Sequence, residues 1–476
     1  MLSNKSIVLI TLLLIASALS AWSITDSYFG NRIGSMDARI YGMGGAGTYN
    51  NARPFGIADN PANLTLLKKN AGFSVGTLYN RNEDNRAIPL YNSFDNYVDD
   101  AVYSSNINFY DDYAGAAYYS RKLGIGAFGI GVYHKPRLNF DSNYKEEVRN
   151  NRNTDNDGYP ELIALNTLES EGNLYQTGFV TSMGFSFGDD FDINLGFDYS
   201  LLRGQVESEK AIRWSDWAIA TVGSSRNLPS LTETINYDLN GSQLRLGWAA
   251  LLNSRLGAAM TYSPKTTLTR EGDYLYLREA YYNAAEVRES NPIDEDYIMP
   301  AEIRFGINYA PRNVMRTVYN LDLEYVRYSE IHTRYDDQLN LYAGVEHHIT
   351  NRIPFRLGFN AVNNYFFTTE SATDAENNPI TVYYTKKILT PMITAGSSVQ
   401  LMKNLTADLG FGYTWREYEA LDLFGDAYYN DKTYTGSSSY ALWPNSHIQL
   451  ANRGWENPDK VRENNISFNA GLSLNW

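Results

Sequence analysis

The chain has 476 residues, 43% hydrophobic and 14% aromatic (38 Tyr, 20 Phe and 8 Trp), with no Cys and a formal net charge of -14. The lack of cysteine excludes a disulfide framework, a lipoprotein anchor and thiolate chemistry, and the acidic balance disfavours nucleic acid as a partner. Mean hydropathy is -0.40, and beyond the amino terminus no stretch approaches the roughly 18 apolar residues that a spanning helix needs, so a membrane span has to be built from strands.

At the amino terminus, Lys5 precedes an apolar run over 7–14, followed by small residues at Ala16, Ser17, Ala18, Ser20 and Ala21. This is the layout of a secretory signal cleaved after Ser20 or Ala21. Residues 1–21 are therefore expected to be removed, taking Lys5 with them and leaving -14 - 1 = -15. Residues 22–69 do not alternate. They carry Gly42, Gly44, Gly45 and Gly47 and then Asn60, Pro61 and Ala62. Too long for a simple tail, this segment is expected to fold as a hatch inside a barrel formed by 70–476. The glycines suit a backbone threaded against a crowded wall. A dinucleotide loop would need a βαβ setting that is missing here.

Alternating segments bounded by turn residues follow, about fourteen of them, at 70–79, 110–121, 123–135, 174–187, 191–206, 232–251, 256–270, 298–310, 316–330, 338–349, 353–367, 389–401, 405–419 and 464–476. Short links at 122, 188–190, 252–255, 311–315, 350–352 and 402–404 alternate with longer connections, 331–337 being the shortest of these. That is the pattern of periplasmic turns and extracellular loops in an outer-membrane barrel, and an even count puts both ends of the mature chain on the periplasmic side. The high aromatic content fits rings at the membrane interfaces; a carbohydrate-binding β protein is the alternative. On single strands one face is apolar and the other charged: Arg304, Asp322, Glu324, Arg356, Asp408 and Arg416 are expected to point inward, because a basic residue at the lipid midplane costs roughly 2–4 kcal/mol. They either bridge one another or meet a passing solute.

The third strand carries Gly124, Gly126, Gly129 and Gly131 and then Pro136. Glycine weakens strand packing and proline cannot donate to the ladder. An inward kink over 124–136 would leave unpaired backbone facing Asn60–Ala62 and a lateral opening. Alternatively, the glycines make room for aromatic rings or the hatch, with the ladder intact.

Two loop segments, 207–225 and 279–289, read better as short helices than as strands. Ile212, Trp214, Trp217, Ile219, Tyr281 and Tyr282 would there form an apolar groove that captures greasy substrate, or pack the loops together. Asn153, Asp155, Asp157 and Glu161 have calcium-loop spacing around Gly158, but Ala164 stands where the bidentate acid belongs, so a plain solvated loop is the competing reading. No other cofactor is expected. Nor is an enzyme, since His134, His332, His347, His348 and His447 have no nucleophile arrangement beside them.

The last strand sets Ile466, Phe468, Ala470, Leu472, Leu474 and Trp476 on one face and Asn465, Ser467, Asn469, Ser473 and Asn475 on the other. An aromatic end of this kind is typical of outer-membrane barrels, with lipid on the apolar face and the barrel-assembly machinery as partner through this strand; the alternative is a terminal strand of a soluble β-sandwich. The fold class expected is all-β: a transmembrane antiparallel β-barrel with an N-terminal lumenal hatch, in the cell outer membrane.

The block R-x-x-G-M-G-G-A over 39–46, the Asn60–Ala62 tripeptide, M-P-A-E-I-R-F-G-I-N-Y-A-P over 299–311 and T-P-M-I-T-A-G over 390–396 together resemble the FadL/TodX family of outer-membrane long-chain fatty acid and hydrocarbon transporters. The resemblance implies that residues 22–69 plug the lumen, that hydrophobic small molecules are the substrates, and that they leave sideways through the wall. No substrate-contact residue carries over, because the loops do not match. The hatch block is also similar to PorV-type barrels of type IX secretion. Passive uptake of hydrophobic compounds such as long-chain fatty acids is thus the expected function; handling of secreted protein or a polar-solute porin are the alternatives.

Overall fold

Alternation gives each strand one face for lipid and one for the lumen, while its backbone groups are satisfied by its two neighbours. In the computed structural model fourteen strands follow in chain order: β1 Ala71–Tyr91, β2 Tyr97–Leu123, β3 Gly126–Asn139 with Ser142–Arg149, β4 Leu162–Ser186 and β5 Asp192–Trp214. Then come β6 Leu231–Asn253, β7 Leu256–Ser263 with Thr266–Arg278, β8 Val287–Met299 with Glu302–Tyr309, and β9 Val318–Val326. The circuit is completed by β10 Gln338–His348, β11 Pro354–Thr373, β12 Pro379–Met402, β13 Leu405–Ala420 and β14 Asp459–Asn475. The structure describes residues 30–476 except 92–93, 95, 125, 150–159, 188–190, 223–228, 284, 332–334, 349–352, 374–378, 421–422, 425–438, 442–448 and 452–458. The expected signal, 1–21, lies outside the described residues.

Neighbouring strands pair antiparallel, and β14 closes the barrel, pairing with β13 from Leu405↔Leu474 to Ala420↔Asp459 and with β1 from Gly72↔Asn475 to Ala87↔Lys460. Short turns lie at the end that holds the carboxy terminus. At the other end several strands run further than their apolar alternation. β1 continues to Tyr91 instead of 79, and β2 begins at Tyr97 instead of 110. There the outward positions turn polar, as at Arg81 and Glu83, and the hydrogen-bonded ladder carries on into water. Sequence alternation marks the lipid belt, not the end of the pairing. The breaks in β7 and β8 fall at Pro264 and Pro300, which have no N–H to give.

The segment before β1 lies inside the barrel. It holds a two-residue strand, Asn31–Arg32, and three one-turn helices: α1 Ala38–Tyr41, α2 Gly56–Asp59 and α3 Asn63–Leu66. Asp37 caps α1, its side chain accepting from Arg39 N at 2.9 Å. Ile33, Met36, Phe55, Ile57 and Leu64 pack against Leu78, Ala116, Tyr133 and Val180 of the wall, each large apolar side chain contributing about 2 kcal/mol.

The two expected loop helices fare differently. Over 207–225 the chain stays in β5 as far as Trp214 and only then forms α4, Asp216–Val222. Over 279–289 no helix forms among the described residues: Tyr282 turns with a φ of 47° and β8 starts at Val287. A strand continued by its neighbours' ladders wins over weak local helical spacing.

Candidate functional site: the lumen and a gap in the wall

Outward positions are apolar over a belt, as at Tyr319, Leu321, Leu323 and Tyr325 of β9 or Phe355, Leu357 and Phe359 of β11. Inward positions are polar and largely buried by the lumenal segment. The six charged residues read from the sequence all face inward, and their partners include that segment as well as one another. Arg304 bonds Asp322 at 3.1 Å, and Asp322 accepts from Thr48 N at 2.9 Å. Glu324 holds Arg32, Arg416 pairs with Glu463, and Arg53 donates to Asp408 at 2.7 Å. Arg356 Nε lies 2.6 Å from Glu346, which also takes two bonds of 3.0 Å from Arg39. Arg32, Arg39 and Arg53, with Glu302, Glu346 and Glu463, were not singled out from the sequence; Glu302 and Glu346 continue the inward alternation of β8 and β10 and were legible there. Burial pushes the Asp59 carboxyl of the lumenal segment up to about 6, against the pull of Lys135.

Glycines let this segment approach the wall. Gly44, with a φ of +70°, sits against β10 and β11 so closely that a Cβ would lie 2.5 Å from Ala343 O. Gly42 lies against Gly396, and Gly45 against the Tyr342 ring. Asn60 Nδ2 donates to Thr48 O and Trp248 O, and its Oδ1 accepts from Ala62 N at 3.0 Å. Pro61 and Ala62 rest on Gly196 of β5 and Gly247 of β6. The Asn-Pro-Ala tripeptide therefore does not face β3, as the sequence reading placed it.

The third strand does kink, but above its glycines. Gly124, with a φ of +62°, turns the β2–β3 hairpin, and Gly126 opens the strand. Gly129 and Gly131 leave room for Leu64 and Ile57, with the ladder to β2 intact from Leu123↔Gly126 to Gly115↔His134. Beyond His134 the strand turns inward. Its freed edge pairs with the lumenal segment, Asn31↔Asn139 and Arg32↔Leu138, and Ile33 N donates to Arg137 O at 3.1 Å. β3 comes back beside β2 through side chains alone, Lys145 N donating to the Asn106 side chain at 2.9 Å and Ser104 Oγ to Lys145 O at 3.1 Å, with no ladder pair between them among the described residues. In between, residues 107–114 of β2 have no ladder partner on the β3 side among the described residues. This gap opens beside the outward Ile107, Phe109 and Tyr113 of β2 and His134 of β3.

Behind the gap, Leu138 and Phe140 of the kinked stretch join Leu174, Leu202, Leu239 and Leu268 in an apolar column along β3–β8. Towards the loop end a second cluster stacks Tyr144, Ile212, Leu231 and Phe424. Between the lumenal segment and the wall lies a cavity of about 220 Å³, lined by Arg32 and Asp59 of the segment and by Asn80, Lys135, Arg245 and Glu302 of the wall among others.

The loop aromatics do not form one exposed groove. Ile212 is buried in the second cluster, Trp214 donates to Pro229 O, and Trp217 and Ile219 are half-buried on α4. Tyr281 and Tyr282 meet edge to face at 4.6 Å at the β7–β8 tip. Asn153, Asp155 and Asp157 lie outside the described residues; Glu161 precedes β4, half-buried. Among the described residues no group of three or more acidic or histidine side chains is placed to hold a metal. His134 Nδ1 bonds Thr177 and His347 Nδ1 bonds Thr317, each at 2.8 Å, and His348 lies 3.7 Å from Glu346. His332 and His447 lie outside the described residues.

A closed fourteen-stranded antiparallel barrel defines the class, and solved structures share that fold. A FadL homologue of Pseudomonas aeruginosa matches with a TM-score of 0.59 at 12% identity, covering 94% of this chain and 99% of that one. The toluene transporter TodX of Pseudomonas putida gives 0.58 at 13%, covering 94% and 99%. The toluene transporter TbuX of Ralstonia pickettii gives 0.50 at 15%, covering 94% and 100%. No protein-family model and no curated protein matches the sequence. The chain has the fold of the FadL- and TodX-type outer-membrane transporters.

Proposed function

We propose that the protein is an outer-membrane channel for passive uptake of hydrophobic compounds, with residues 22–69 acting as the hatch. One observation carries this reading: the kink in β3 sets Leu138 and Phe140 into an apolar column and leaves the wall without a ladder beside them, at the rim of the lipid belt. A greasy solute entering at the loop end passes along that column and leaves sideways into lipid, without crossing the ionic contacts that seat the hatch. The fold supports the reading, since TodX and TbuX are toluene transporters. A hatch filling the lumen weighs against an open polar-solute porin. Long-chain fatty acids are the substrates to try first. A deletion strain should take up less labelled long-chain fatty acid or toluene than its parent; unchanged uptake of both, with protein secretion lost, would favour the secretion-associated reading.

The lateral route has its own test. The chain has no cysteine, so Phe109→Cys, at an outward position 42% exposed beside the gap, accepts a single thiol label. A bulky maleimide there is expected to cut uptake severalfold, whereas a methyl-sized label leaves it near wild type. Full uptake with the bulky label attached would exclude passage through this gap.

A further inference from the structure

Where β3 leaves β2 it also leaves a carboxylate without its opposite number. Three residues beyond the last ladder pair, Gly115↔His134, the same register would set Asp112 opposite Arg137. Arg137 instead reaches across the lumen, its Nη2 2.8 Å from Glu302 Oε2. Asp112 is fully buried, and neither of its carboxylate oxygens has a hydrogen-bond partner among the described residues. On the same inward face of β2, the Asn108 side-chain amide is buried with an unpartnered nitrogen.

Neighbouring charge does not relieve Asp112. The groups acting on it are Asp141 and Asp111, both acidic. Asp141 is already taken by Asn139 Nδ2 and Gly172 N, at 2.8 and 2.6 Å, and Asp111 faces outward and accepts from Tyr113. A carboxylate held away from water without a cation or donors is costly. What the site lacks is a positive hydrogen-bond donor.

The surroundings narrow the kind of donor. A hard divalent cation takes six or more oxygen ligands, and no acidic group of three or more is placed for one among the described residues. On the lipid side the gap is edged by the exposed Ile107, Phe109 and Tyr113. The exposed Asp111 stands between Phe109 and Tyr113 on that edge, and a buried acceptor behind a mostly apolar rim matches a molecule with one small charged head and a hydrocarbon body.

The geometry points to a binding site in the gap between β2 and β3 for amphiphiles with a primary ammonium head, the head on Asp112 and the chain against Ile107 and Phe109. This rests on reading the gap as the lateral passage, and it names a class of compound that the passage retains. Bare hydrocarbons and carboxylates lack the donor that Asp112 requires.

The test uses the full-length barrel in non-ionic detergent, with dodecylammonium, dodecanol and dodecanoate as probes and titration calorimetry as readout. Dodecylammonium is expected to bind wild type about tenfold more tightly than Asp112→Asn, the scale of one charge-assisted hydrogen bond. Dodecanol should bind both proteins alike, and dodecanoate should bind wild type more weakly than dodecylammonium does. Asp111→Asn, one residue away with the same loss of charge but facing outward, should keep the wild-type affinity for dodecylammonium. Equal dodecylammonium affinity in wild type and Asp112→Asn overturns the proposal, and so does an equal loss in Asp111→Asn, which would mean a diffuse field and no site. If the passage itself is misread, the bulky label at Phe109→Cys leaves uptake intact while the Asp112 effect on binding persists, so the two failures are separable.

Discussion

Glu346→Ala is expected to destabilise the barrel by about 3–5 kcal/mol, the cost of stripping one partner from a buried ion pair. The carboxylate of Glu346 takes Arg39 of the hatch through two bonds of 3.0 Å and Arg356 of β11 through one of 2.6 Å. Both guanidinium groups are buried. Arg356 also lies 3.2 Å from Asp408, which holds Arg53 of the hatch. Removing Glu346 therefore leaves Arg39 charged in a closed space and loosens two attachments of the lumenal segment together. Thermal unfolding in detergent, followed by the shift in heat-modifiable gel migration, should show a lower midpoint for Glu346→Ala. Glu346→Gln, which keeps an acceptor, should fall between it and wild type. A midpoint unchanged in the alanine variant would mean that these ions are not what seats the hatch.

A second large effect is expected at Gly358 on β11. An added Cβ there would lie 2.0 Å from Gly44 N and 2.3 Å from Met43 C, both backbone atoms of the lumenal segment, so no side-chain rotation relieves the clash. Overpacking of this sort costs about 1–3 kcal/mol. Gly358→Ala should displace the Met43–Gly45 stretch from the wall. Conductance across planar bilayers should then rise well above the wild-type level, and the hatch should become open to protease. Gly115→Ala is the control, since its Cβ would meet nothing nearer than Ser74 O at 3.9 Å. Wild-type conductance and protease resistance in Gly358→Ala would show that the hatch yields locally without leaving its seat.

Both effects depend on contacts between residues hundreds of positions apart, and this marks the limit of what the linear pattern discloses. Strand number, the order of short and long connections and the inward aim of Arg304, Asp322, Glu324, Arg356, Asp408 and Arg416 follow from a two-residue period, because a pleated strand between lipid and lumen has no other way to place its side chains. The same rule explains where the sequence reading stopped short. Once the outward residues become polar, at Arg81 and Glu83, alternation no longer marks the strand, although the ladder continues to Tyr91.

The glycines of β3 carried a real signal with two readings. Only the packing chose between them, since Gly129 and Gly131 make room for Leu64 and Ile57 and the bend falls later, past His134. The location of that bend depends on the lumenal segment, which offers the backbone of Asn31–Ile33 to the edge that β2 gives up. Partner choice among Arg39, Arg53, Glu346 and Asp408 is likewise a matter of three-dimensional proximity. By itself the sequence determined a two-faced strand pattern and the charge of its inner face, because these are properties of consecutive residues. The gap, the seating of the lumenal segment and an Asp112 without a partner among the described residues were decided by the tertiary structure, because each depends on which distant backbone or side chain arrives to satisfy a hydrogen-bonding group.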